Sequence, residues 1–329
     1  MSRSALAGEV RVVADGITRI PLPMEGNPLG WVNAYLVDED DGATLIDCGW
    51  KTPDVRQALE NGLASIGRSL RDVARVLITH MHYDHYGLAG SLLRAGVPAL
   101  GMHQRDWEAA QFLLSDPATS DAASDRWLAR HGFAADPEDP SEHFARSELA
   151  QPTLLIADGD RIGRLTALWT PGHSPGHLCF LDARTGRIFS GDHILDPITP
   201  HVGAWFAGDD DKLGAYVASV SRMREVDASG VLPAHGEPFD GLAARADALL
   251  AHHHQREALI AGLLAEPRSA AAVARGLPWT RRDRPFTDLS PAHQAFAVAE
   301  TIAHLEHLRA KGAVARSERD GVFVYLRSG

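Results

Sequence analysis

Disulfide-forming capacity is almost absent from this 329-residue chain, which has two cysteines, Cys48 and Cys179. Two such residues cannot make a stapled framework. Long hydrophobic runs are missing as well. The longest are a handful of residues, well short of the ~20 that cross a bilayer, so no membrane-spanning helix is expected. Residues 1–8 lack the apolar core of roughly 7–15 residues that marks a secretion signal. These absences predict a cytoplasmic protein. There is no Ser-His-Asp constellation, no phosphate-cradling glycine motif, no repeat and no low-complexity segment. Basic charge is scarce too: the net charge is −11. Residues 245–329 hold 12 Lys and Arg against 9 Asp and Glu, so residues 1–244 hold 20 against 34. An acidic main domain argues against a long polyanionic partner, because phosphate contacts require Lys and Arg. What remains, 45% hydrophobic and 23% charged, is ordinary globular composition with enough length for two domains.

Histidine, in contrast, is concentrated. Val76-Leu77-Ile78-Thr79-His80-Met81-His82-Tyr83-Asp84-His85 is an apolar run, as expected of a strand buried on both faces, that ends in three histidines and an aspartate. Imidazole nitrogen and carboxylate oxygen suit zinc and similar first-row metals. One tight turn cannot aim all four at a single tetrahedral ion, but it could serve two neighbouring ions, His80 and His82 facing one and Asp84 and His85 the other. Further ligands should then follow, and three more apolar runs end in candidates: Thr170-Pro171-Gly172-His173, Phe189-Ser190-Gly191-Asp192 and Leu232-Pro233-Ala234-His235-Gly236.

In that order these residues resemble the metallo-β-lactamase superfamily of binuclear hydrolases. The upstream Leu45-Ile46-Asp47-Cys48-Gly49 matches too, except that the family usually has Thr where Cys48 stands. The resemblance spans about residues 10–240 and is specific for fold and metal site, not for substrate. It implies an αββα sandwich with two metal sites: His80, His82 and His173 on one ion, Asp84, His85 and His235 on the other, and Asp192 bridging them. Two divalent ions are expected, zinc first, with manganese or iron as alternatives. Between them a bridging hydroxide would attack the substrate, and Asp84 would take up the proton. Asp47 would orient a ligand histidine. His177 and His193 are expected beside the site, and Cys48 as a packed small residue.

Along the chain, strands are expected at 10–20, 32–37, 43–46, 73–79, 98–101, 154–156, 167–170, 178–182, 187–190 and 230–232. Helices are expected after Thr52-Pro53, where Val55, Leu59 and Leu63 share a face, and at 88–96. The Pro/Gly-rich loop 21–30 ends in Trp31, read either as a core anchor or as part of a loop over the metals. His103 reads as a surface histidine or one that supports the ligands from behind. Residues 104–150 form a helical insertion with Trp107, Ala110 and Leu114 on one face, whose Trp127, Leu128 and Phe133 could cover a pocket or serve as structural padding. Asp136-Pro137-Glu138-Asp139-Pro140 is a loop, and Asp209-Asp210-Asp211 caps a helix.

After Gly241 the character changes, which sets domains at 1–241 (catalytic) and 242–329. Three helices, at 243–265, 269–275 and from Ser290-Pro291 to Lys311-Gly312, precede a hairpin turning at Asp320-Gly321. This resembles the small C-terminal winged-helix domain of one branch of the superfamily. His252-His253-His254 fans around a helix at ~100° per residue, and an exposed surface is expected.

The expected activity is hydrolysis of a small carbonyl substrate: an ester, thioester, lactone or lactam. The alternative is a phosphodiesterase or endoribonuclease acting on single-stranded RNA, because winged-helix relatives include one. Against nucleic-acid binding, the candidate recognition helix carries His293, Glu300, Glu306 and Arg309, hardly a basic face. A redox role is disfavoured because iron-bearing relatives usually have Glu where His82 stands. The partner expected is thus a small molecule, with neither nucleic acid nor membrane; self-association through the C-terminal domain is left open.

Overall fold

A computed structural model describes residues 8–134, 149–206, 210–280 and 283–328. By the clustering of its contacts the chain forms two units. The first comprises residues 1–115, 144–200 and 222–246, and the second 116–143, 201–221 and 247–329.

Two sheets make the first unit. The larger runs in sequence order: β1 (Arg11–Ala14), β2 (Ile17–Pro23), β3 (Trp31–Val37), β4 (Ala43–Ile46), β5 (Val73–Leu77), β6 (Ala99–His103) and β7 (Leu154–Ile156). It is antiparallel from β1 to β4 and parallel from β4 to β7. The smaller contains β8 (Arg161–Ile162), β9 (Leu165–Trp169), β10 (Leu178–Asp182), β11 (Arg187–Gly191) and β12 (Gly230–Pro233), in the order β12-β11-β10-β9-β8.

The period-two alternation of β3 shows how these strands build two cores. Tyr35 and Val37 join Ile46, Leu77, Phe180, Phe189 and Leu232 between the sheets. Val32, Ala34 and Leu36 face the other way. There they meet Val55, Leu59 and Leu63 of α1 (Pro53–Ser65), with α2 (Tyr83–Tyr86) and α3 (Ala89–Arg94) close by in sequence, Ala89 and Leu92 joining the same cluster. The Val55, Leu59 and Leu63 face expected from sequence is therefore the buried one. On α4 (Gln104–Ser115) Ala110 is buried, and Trp107 and Leu114 pack on this cluster.

The second unit contains α5 (Pro117–Arg130), most of α6 (Lys212–Arg224) and of α7 (Leu242–Leu263), then α8 (Ala270–Arg275), α9 (Pro291–Ala310) and the hairpin β13 (Val314–Arg319) with β14 (Val322–Arg327). The caps act as their sequence suggests: Ser269 accepts from Ala272 N and Ser290 from His293 N. Val298, Ile302 and Leu305 are buried on α9. Among the described residues, no helix is long and apolar enough to cross a membrane.

Several expectations are corrected. The strand at 10–20 is two strands, because Asp15-Gly16 turns the chain and pairs β1 with β2. The helix at 88–96 is confined to Ala89–Arg94, with the single turn α2 before it, and β8 is an additional strand. Of the two readings of the insertion, Trp127, Leu128 and Phe133 follow the packing one, buried in the second unit. Trp127 donates to the Ala204 carbonyl at 3.0 Å, and its ring meets the edges of His131 and Phe323. His253 is not on an exposed surface; it is buried, with Nδ1 3.2 Å from His304 Nε2. Leu249, His253, Arg256 and Ile260 are spaced four, three and four apart, so they share the inward stripe of α7. Asp211 caps α6 through Gly214 N at 2.8 Å, whereas Asp209 and the loop at 136–140 lie outside the described residues.

Candidate metal centre

β4 and β5 are parallel to each other, and so are β9, β11 and β12, because β10 runs antiparallel between β9 and β11. Each strand releases its chemistry just past its carboxyl end: Asp47 after β4, His80 after β5, His173 after β9, Asp192 after β11 and His235 after β12. Open sheets commonly bind ligands at this end. His82 then caps α2 in an extended conformation, and Asp84 and His85 fall in the single turn that follows. The geometry thus separates neighbours in sequence into two groups.

The first group gathers three imidazoles. His80 Nε2 lies 3.0 Å from His82 Nδ1 and 3.2 Å from His173 Nε2. The second brings His235 Nε2 and His85 Nε2 to 3.2 and 3.6 Å from Asp84 Oδ2. Asp192 stands between the groups: Oδ2 is 3.7 Å from His173 Nε2, while Oδ1 is 3.4 Å from His235 Nε2 and 3.7 Å from His85 Nε2. Ligands about 2.0–2.1 Å from a tetrahedral zinc stand about 3.3–3.4 Å from one another, so the donor spacing matches the edges of two such tetrahedra. Chemistry agrees with geometry. His85 Nε2 and Asp192 Oδ1 are buried with no well-formed hydrogen bond, and His235 Nε2 faces only the carboxylates of Asp84 and Asp192, an arrangement that a cation would satisfy.

The opposite side of each ring is already held. His85 Nδ1 lies 2.8 Å from Asp47 Oδ2, His235 Nδ1 3.1 Å from the Trp31 carbonyl, and His80 Nδ1 3.0 Å from Thr79 Oγ1. These partners fix each ring so that its other nitrogen faces the cluster. Asp47 also accepts Thr79 N and Thr79 Oγ1, both at 2.8 Å, from a left-handed backbone at φ 58°. Non-glycine residues rarely adopt that conformation.

The same surroundings set the charges. Burial, reinforced by its imidazole neighbours, holds His80 well below the ordinary histidine range, and burial brings His82 down to about 3. Burial would also lower His235, but Asp192 and Asp84 outweigh it and raise the group to about 10. Burial would raise Asp84; His85 and His235 overcome it and hold the carboxyl at about 2. One half therefore presents bare nitrogen lone pairs, and the other presents carboxylates that attract positive charge.

His177 is also drawn in, but both of its nitrogens are engaged. Nδ1 is 2.9 Å from Thr170 Oγ1, and Nε2 accepts Asp192 N at 3.2 Å. It therefore holds the backbone that carries Asp192. This contact requires Gly191, where φ is +49° and a Cβ would stand 2.6 Å from His177 Nε2. His193 is buried with its ring 5.8 Å from that of His177. His103 is apart, stacked on Trp169 at 5.3 Å. Trp31 contributes its backbone carbonyl.

Cys48 is buried and donates to the His85 carbonyl at 3.1 Å, and burial pushes its thiol far up. It is packing, not a nucleophile. Cys48→Ser, which keeps a donor there, is expected to retain kcat/KM within about threefold, since no reacting group is removed. A loss of a hundredfold in steady-state assays would give the sulfur a chemical role.

Sequence reading passed over Asp106. It lies fully buried in the first turn of α4, and burial raises its carboxyl to about 6 despite three hydrogen-bond donors. An Asp in a helix's first turn ordinarily signals only a favourable dipole contact, so no local pattern marked it.

This fold agrees with comparison to known proteins. Residues 28–235 match the Metallo-beta-lactamase superfamily, and residues 258–328 the C-terminal domain described as metallo-beta-lactamase-like. The chain belongs to the metallo-β-lactamase superfamily and has its αββα fold with a small C-terminal domain of helices and a hairpin. It is 28% identical to the probable metallo-hydrolase YqjP of Bacillus subtilis over 94% of this chain and 96% of that one. The crystal structure of a metallo-beta-lactamase family protein from Thermus thermophilus superposes with a TM-score of 0.83 at 31% identity, covering 96% of this chain and 100% of the other. Human acyl-coenzyme A thioesterase MBLAC2 is 28% identical over 63% of this chain and 74% of its own length. The protein is a metallo-hydrolase of this superfamily.

Proposed function

We propose that the protein is a binuclear, zinc-dependent hydrolase of a small carbonyl substrate of the ester, thioester, lactone or lactam type. The observation that carries this reading is Asp192, whose two oxygens face different nitrogen groups. His80, His82 and His173 would hold one ion, Asp84, His85 and His235 the other, and Asp192 both. Cations bound there would acidify a water molecule and polarise a carbonyl oxygen. The protein's own contribution is positional and protonic. Asp47 and the Trp31 carbonyl hold the His85 and His235 rings in the required tautomer. Asp84, adjacent to the reacting position beside His235 and His85, is the acceptor for the proton lost on attack. The human relative named for acyl-coenzyme A thioesters supports including a thioester among the substrates. Free, buried Cys48 and Cys179 suit a reducing compartment, in keeping with a cytoplasmic location.

The test runs metal analysis and substrate assays together on protein purified without added metal. Two equivalents of zinc per chain and turnover of at least one among a chromogenic ester, an acyl thioester, a lactone and a β-lactam are expected. Cleavage of single-stranded RNA with none of these turned over would replace this reading with a phosphodiesterase.

A further inference from the structure

We propose that Asp106 is a positioning residue for one half of the centre alone: it locks the three-histidine group, and its loss weakens that half while sparing the Asp84–His85–His235 half. The inference rests on the binuclear reading above. Asp106 Oδ2 accepts Met81 N at 2.9 Å and Ser174 Oγ at 2.8 Å, while Oδ1 accepts Gly176 N. Met81 lies between His80 and His82, and Ser174 follows His173. One buried carboxylate therefore joins the two turns that together supply all three nitrogens of the first group. The approach is close enough that a Cβ on Gly176 would stand 2.5 Å from Asp106 N.

The other half has different anchors: Asp47 for His85, the Trp31 carbonyl for His235 and His177 for the Asp192 backbone. Asp47 and the Trp31 carbonyl make no contact with Asp106, and His177, although it follows Gly176, is held by its own bonds to Thr170 and Asp192. The chemistry at Asp106 is equally particular. All three partners can donate, and two are backbone N–H groups that cannot accept. A carboxylate, with acceptor positions only, satisfies them. An amide of the same shape must turn its NH2 towards at least one donor. Asp106→Asn therefore loses at least one of the three bonds and loosens the tie between the two turns without removing a ligand.

The experiment compares wild type, Asp106→Asn, Ser174→Ala and Asp47→Asn, each loaded with cobalt(II) or zinc. Metal per chain, the cobalt visible spectrum, the rate of release to a chelator and far-ultraviolet circular dichroism are recorded. Folded Asp106→Asn is expected to retain one equivalent after gel filtration instead of two, with the bands of the nitrogen-rich site missing from the cobalt spectrum. Ser174→Ala, which removes one of three anchors, is expected to keep both ions but to release the first roughly tenfold faster, within the range seen when partners of metal ligands are removed. Asp47→Asn, whose carboxylate holds His85 directly and His80 through Thr79, should weaken both halves.

A folded Asp106→Asn protein that keeps both ions, or that loses both together, overturns the inference. If that variant does not fold, Ser174→Ala decides: equal release from both halves overturns the proposal. Fewer than two equivalents in wild type would instead remove the binuclear reading itself, so the two failures are distinct.

Discussion

Asp192→Asn is expected to lower kcat/KM by on the order of 10³ or more and to cost at least one metal equivalent, because both ions depend on this carboxylate. The substituted amide keeps the side chain's shape. Its Nδ2 cannot accept a cation, however, so one group loses its shared oxygen whichever way the amide is turned. The backbone should be unaffected, since Asp192 N is held by His177 Nε2 and the preceding Gly191 keeps its conformation. Elemental analysis with steady-state kinetics on the same preparation checks this. A variant with full metal content and near-normal turnover would show that Asp192 is not the link.

Removing metal should have the largest effect on stability. Stripping the ions leaves His85 Nε2 and Asp192 Oδ1 buried with no well-formed hydrogen bond, and Asp84 and Asp192 sharing the same two imidazoles. A ligand present at a thousand times its dissociation constant stabilises the folded state by about 4 kcal/mol. For a unit of this size that corresponds to about 10 °C in Tm. Calorimetry before and after chelation is therefore expected to show a fall of about 10 °C or more for one ion, deeper for two, reversed by adding zinc. A transition unchanged by chelation would mean that these side chains hold no structurally coupled metal.

The parts of this site that were legible in the sequence are those in which chemistry restricts the residue type. A histidine or aspartate directly after an apolar run is conspicuous, and His80, His173, Asp192 and His235 all stand at strand ends. The division of His80-Met81-His82-Tyr83-Asp84-His85 between two groups was also readable, because one turn cannot point four ligands at one tetrahedral centre. Asp106 was not readable. Its role depends on donors 25, 68 and 70 residues away, and nothing nearby distinguishes it from a helix-start aspartate.

Elsewhere the limits were of a different kind. The Asp15-Gly16 turn and the stripe of Leu249, His253, Arg256 and Ile260 carried usable signals that were outweighed by competing patterns. An apolar run hid the first, and a run of three histidines drew attention from the second. Trp127 and Phe133 illustrate a true ambiguity, since a large aromatic residue on an insertion can line a pocket or fill a core. Packing against Ala204, His131 and Phe323 assigns Trp127 to the core.

The central claim, two cations sharing Asp192, is tested most directly by anomalous diffraction at the zinc edge from crystals of the zinc-loaded protein. The account expects two peaks about 3.5–4 Å apart, one among His80, His82 and His173, the other among Asp84, His85 and His235, with an Asp192 oxygen directed to each. A single peak, or zinc bound elsewhere with these side chains turned apart, would contradict it.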